Sequence, residues 1–175
     1  PRFVLEPQPE ALGWARGQLA QLPQPLVAAV LGASDPMRQW PVGHFAEMVA
    51  RLRARLGPCR VVCVGGAAEQ AIGGDLAARV GQGILNLAGR TSLPQLVAVL
   101  SCAEAIVSGD TGPMHIGAAL GRPVIALFAV SDPEVTGPFG EGHIVLRGSR
   151  PAMDSIDPGQ VAEAVARVLG RAGEA

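Results

Sequence analysis

A doubly wound parallel α/β sheet of about six strands is the fold class this sequence predicts, on three observations. Short apolar runs recur along the chain: "LVAAVL" (26–31), "RVVCV" (60–64), "ILNL" (84–87), "AIVS" (105–108), "PVIALF" (123–128) and "HIVL" (143–146). They are continuous rather than alternating, as strands covered on both faces require. Helix-patterned segments lie between them, and polar, glycine-rich stretches sit where a strand hands over to a helix.

The helices follow from spacing and caps. Over 42–56, Phe45, Met48, Val49, Leu52 and Leu56 fall on one face, with Arg51, Arg53 and Arg55 on a solvated one, and Gly57-Pro58 stops the helix. Further helices are predicted at about 67–80, 93–102, 113–120 and 158–170. Thr91 or Ser92 caps the third of these five, with Pro94 in its first turn; Asp157 caps the last, with Pro158 at its first position. Residues 1–22 fit the alternation less well: "PEALGWARGQLAQL" predicts a lead-in helix, and "PQP" behaves as a linker.

Bulk properties narrow the function classes. The 175 residues are 49% hydrophobic and 17% charged, enough for one core. A net charge of -1 provides no global field toward nucleic acid or an anionic membrane. No apolar run reaches the ~18–20 residues of a membrane span, and no signal peptide is evident. Cys59, Cys63 and Cys102 show no disulfide framework, which fits reduced thiols in a cytoplasm. Cys59 and Cys63 lie on one predicted strand, ~13 Å apart, too far to share an ion.

Three loops at predicted strand ends carry the chemistry. In "SGDTGPMHIG" (108–117), Pro113 suits the first helical turn and Gly112 lets a ligand approach the backbone. Free amides of that turn form an anion site, to which Thr111 adds a hydroxyl and His115 a ring nitrogen. Asp110 repels phosphate, so it either caps the helix or holds uncharged groups such as sugar hydroxyls. In "GASDPMRQWP", Ser34 offers a hydroxyl and Arg38 a phosphate-reaching cation; an ordinary loop with an exposed arginine is the alternative. Glu69, after Gly65-Gly66, either accepts ribose hydroxyls or complements the dipole of the helix it begins.

These stretches, with "NLAGRTSLPQLVAVLSCAEAIVSGDTGPMHIGAALGRPVIALFAVSDP" (86–133), resemble the C-terminal domain of the ADP-heptose:lipopolysaccharide heptosyltransferases. That family is glycosyltransferase family 9, of the two-domain GT-B fold, and the resemblance covers roughly residues 26 to 170. It implies a nucleotide-sugar donor-binding domain at 23–175, with 1–22 leading in from an absent N-terminal half that holds the general base and the acceptor site. Asp110, Thr111, Gly112 and His115 match the part that holds the donor's diphosphate and sugar. Ser34 and Arg38 match the phosphate-contacting loop, where the family's usual lysine is replaced by arginine. Glu69 matches the acid on the adenosine ribose, and Thr91 lines the same cleft. No catalytic residue is expected in this fragment, and no metal or other cofactor. The implied partners are ADP-heptose and, through the absent half, lipopolysaccharide core. Nucleic acid is not among them, and membrane contact is at most peripheral. The implied location is the cytoplasm, at the inner face of the inner membrane for the full enzyme. A stand-alone nucleotide-binding or scaffold module, and a transferase using another nucleotide sugar, stay open as alternatives.

Overall fold

The computed structural model describes residues 5–20, 24–33 and 35–172. Six parallel strands form one sheet: β1 (Leu26–Val30), β2 (Arg60–Val64), β3 (Ile84–Asn86), β4 (Ala105–Gly109), β5 (Val124–Phe128) and β6 (Ile144–Arg147), in the order β3-β2-β1-β4-β5-β6. Parallel neighbours need crossovers, and the helices supply them. These are α1 (Pro9–Leu19), α2 (Val42–Leu56), α3 (Gln70–Val80), α4 (Leu93–Ser101), α5 (Gly112–Ala119), the four-residue α6 (Pro133–Thr136) and α7 (Pro158–Ala172).

Alternate residues of each central strand feed two cores. Val27 and Ala29 point with Val61, Cys63 and Val107 toward α2, α3 and α7; Ala28, Val62, Ile106 and Ala126 point toward α1, α4 and α5. Each large apolar side chain fully buried this way contributes roughly 1.5–3 kcal/mol, which explains why β1, β2, β4 and β5 tolerate no polar alternation. The expectation of two-faced cover fails at the rims. β6 alternates half-buried and exposed residues, and β3 is half-buried throughout. Both are edge strands with one neighbour, so helices cover them incompletely.

Sequence caps act where the spacing places them. The Ser92 hydroxyl accepts from the Gln95 amide while the Gln95 side chain accepts from the Ser92 amide, a reciprocal box that starts α4. Asp157 accepts from the Gln160 amide at the head of α7. The segment predicted as one helix over 67–80 is a 3-10 turn at Ala67–Glu69 running into α3. Gly117 fixes the height of α5: a Cβ there would sit 2.5 Å from Ile106 Cδ1. The helix therefore presses on β4, and its N-terminus is held at the carboxyl edge of the sheet.

Candidate functional site

The order of strands reverses between β1 and β4, so their outgoing connections part and leave a crevice at the carboxyl edge. A cleft of about 450 Å³ occupies it, lined by Val30, Gly32, Ala33, Gly65, Gly66, Glu69, Thr91, Ser92, Leu93, Leu96, Thr111 and Pro113. Thus Glu69, Thr91 and Thr111 share one cavity although they come from three different connections.

Glu69 is the best-anchored acid at the cleft. Its Oε2 accepts from the Gly66 amide at 2.7 Å, and Gln39 Nε2 donates to its Oε1 at 3.5 Å. Gly32 and Gly65 make its berth: a Cβ on Gly32 would fall 2.7 Å from Glu69 Cδ, and one on Gly65 2.9 Å from Glu69 Cβ. Sequence reading offered a ribose contact or a dipole partner for this acid; the carboxylate already braces the turn and still lines the cavity.

Arg38 reaches the rim on a loop with three fixings. Asp35 accepts from the Met37 amide at 2.9 Å, starting the 3-10 turn Pro36–Arg38. Trp40 is buried edge-on against Phe45 (centroids 4.7 Å apart) and donates its indole N–H to the Ile156 carbonyl at 3.2 Å. Gly109, at the end of β4, lets the Arg38 carbonyl approach where a Cβ would lie only 2.8 Å away. Arg38 Nη1 then donates to Asp110 Oδ2 at 3.1 Å. Its Nε is buried with no hydrogen-bond partner among the described residues.

Asp110 does not cap α5. The residue before α5 is Thr111, whose side chain makes no capping bond, and the Asp110 carboxylate faces away from the helix toward Arg38 and Thr136. Thr136 Oγ1 donates to the same Oδ2 at 3.1 Å. The Thr111 hydroxyl lies 3.3 Å from that of Ser108. Pro113 carries no amide proton, and the Met114 amide donates to the Thr111 carbonyl, so the outward donors of this turn are concentrated at Thr111 and Gly112. Gly112 is exposed with open space beside its Cα, and His115 is exposed one turn on. Ser34 lies outside the described residues.

Two side chains that sequence reading passed over belong to this site. Thr136 and Gln39 are second partners of Asp110 and Glu69. A signal existed for the first: "SDP" at 131–133 is a cap followed by proline, the signature that located α7, and Asp132 accepts from the Glu134 amide at 3.1 Å. Among the described residues no three His, Cys, Asp or Glu side chains gather as a metal site, and no helix is long and apolar enough to cross a membrane.

The sheet order and a glycine-walled crevice with a cation at its edge define a Rossmann-like α/β domain of the GT-B type. The family model for glycosyltransferase family 9 (heptosyltransferase) matches residues 9–165, and the chain belongs to that family. It is 35% identical over 129 residues to lipopolysaccharide heptosyltransferase 2 of Salmonella typhimurium, covering 71% of this chain and 36% of the relative. The solved ADP-heptose lps heptosyltransferase II of E. coli superposes with a TM-score of 0.85 at 28% identity, over 98% of this chain and 54% of that one. The E. coli heptosyltransferase WaaC, solved with ADP, gives 0.75 at 26% identity, over 88% and 48%. The chain therefore spans about half, or less, of the length of these relatives.

Proposed function

We propose that this chain is the donor-binding half of an inverting heptosyltransferase-like enzyme that transfers heptose from ADP-heptose to lipopolysaccharide core. In this reading residues 23–175 are the donor domain and 1–22 lead in from a half that carries the general base and the acceptor site. Alone, the fragment binds donor and transfers nothing. The observation that carries the reading is the 450 Å³ cleft in the β1/β4 crevice, with glycine walls, an acid on one side and the Arg38 loop beside it. A relative of the same family solved with ADP supports the nucleotide.

The parts divide the donor between them. Glu69 and Thr91 face the ribose, while the Thr111 and Gly112 amides, the Thr111 hydroxyl, Ser34 and Arg38 take the diphosphate. Asp110 Oδ1, on the other side of the carboxylate from Arg38, accepts from a sugar hydroxyl, and His115 completes that edge. As a base in the other half removes the acceptor proton, the anomeric bond to the diphosphate breaks, and the negative charge left behind meets groups already oriented to receive it. Fixed dipoles and a guanidinium suffice for that charge, so the scheme calls for no metal and no other cofactor. The full enzyme works in the cytoplasm at the inner face of the inner membrane, with peripheral contact at most.

Titration calorimetry of this chain with ADP, UDP and GDP tests the reading. ADP is expected to bind at least about tenfold more tightly than the other two; equal weak heats for all three overturn the donor assignment.

A further inference from the structure

The connection between β5 and β6 reaches the end of the neighbouring strand β4, on the side of the site assigned to phosphate. Thr136 ends α6, 26 residues beyond Asp110 in sequence, and its hydroxyl donates to Asp110 Oδ2 at 3.1 Å. That oxygen also receives Arg38 Nη1 at 3.1 Å. Thr136 Oγ1 lies 3.2 Å from the Asp132 carbonyl as well, and Asp132 in turn accepts from Arg147 Nη2 at 2.7 Å. α6 is thus pinned at both ends, and its last side chain delivers one hydroxyl to a carboxylate that is 9% exposed.

From this geometry we infer that Thr136 is a positioning residue for Arg38, acting through Asp110. A carboxylate facing a guanidinium prefers the two-bond fork, in which both oxygens are consumed and the cation is most fully neutralised. The Thr136 hydroxyl competes for that outcome. By donating to Oδ2 it fixes the carboxylate rotamer so that Arg38 meets one oxygen through one nitrogen. The remaining guanidinium donors stay available to an incoming anion, and Oδ1 stays turned toward the sugar side. Without the hydroxyl, the carboxylate turns into the fork and holds Arg38 back from the diphosphate.

This inference rests on the donor-binding reading and sharpens it, and a double-mutant cycle separates the two. ADP affinity is measured by calorimetry for the wild type, Thr136→Val, Thr136→Ser, Arg38→Gln and the Thr136→Val/Arg38→Gln pair, each with its melting temperature. Thr136→Val is expected to weaken ADP about fivefold, Thr136→Ser to restore it to within about twofold, and Thr136→Val to have no further effect once Arg38 is glutamine. Wild-type affinity in Thr136→Val, or the same loss persisting in the Arg38→Gln background, overturns the positioning role while leaving the site assignment standing. A wild-type chain that binds no ADP overturns the site assignment, and the positioning role with it.

Discussion

The two ends of the sheet both carry arginine, and the contrast between them sets the candidate site apart from a second cavity. At the amino end lies the larger hollow, about 650 Å³, lined by Arg16, Arg60, Arg122 and Glu104 among others. Helices α4 and α5 end there, so carbonyls face it and arginines complement them. Arg60 is 2% exposed, donates weakly to the Leu19 carbonyl at 3.4 Å, and leaves Nε and Nη2 without partners among the described residues. Burial pushes its pKa down, opposed by the charge of Glu104. At the carboxyl end the cleft is smaller, but helix N-termini face it, Gly32, Gly65 and Gly66 form part of its wall, and Arg38 stands partly in solvent on an anchored loop. Volume and charge alone favour the amino end, whereas the direction of the helix dipoles and the reach of the guanidinium favour the carboxyl end.

The sharpest way to break this contrast is to remove one arginine at a time and measure ADP binding. Arg38→Gln is expected to cost about tenfold or more in affinity, the scale of a lost charge-assisted contact. Arg60→Met is expected to leave affinity unchanged, and calorimetry on both variants decides. An equal loss in both would mean that the two ends are coupled.

A smaller effect of opposite kind is expected in stability. Replacing a buried, poorly paired guanidinium by an apolar side chain of similar length removes a desolvated charge, so Arg60→Met should raise stability by about 1 kcal/mol in urea unfolding. Arg38→Gln removes the cation paired with the buried Asp110 carboxylate, so it should lower stability by about 1–3 kcal/mol in the same assay.

The thiols give the finest discrimination. Cys102 is half-buried on the wall of the amino-end hollow, whereas Cys59 and Cys63 are buried in the core beneath α2 and α3. A thiol reagent at pH 8 should modify Cys102 first, with ADP giving no protection, and reach the other two upon unfolding. Burial pushes the Cys63 thiol from 9.0 up to about 12 and raises Cys59 as well. Below pH 9 folded and unfolded chains both keep these protons, so the contribution is intact. Above it the unfolded chain ionises first, and stability should fall as pH climbs from 9 toward 12.

Most of the scaffold was legible because it is written locally. Continuous apolar runs marked all six strands, and Ser92, Pro94, Asp157 and Pro158 marked helix starts by short-range chemistry. Placing Glu69, Thr91 and Thr111 around one cleft needed only the rule that parallel sheets bind at their carboxyl edge. The partners of Asp110 were not legible. Arg38 is 72 residues away and Thr136 is 26, and a four-residue helix is too short for periodicity to register. The open edges of β3 and β6 escaped for a similar reason: "HIVL" is apolar in composition, and whether a helix covers it depends on elements distant in sequence.

Gly109 has a mechanical corollary. Its bare Cα lets one stretch of main chain lie against another, and that backbone contact holds whatever rotamer the arginine above it takes. The spacing of the two loops at the mouth of the cleft is therefore set by main chain rather than by the charged side chains at its lip.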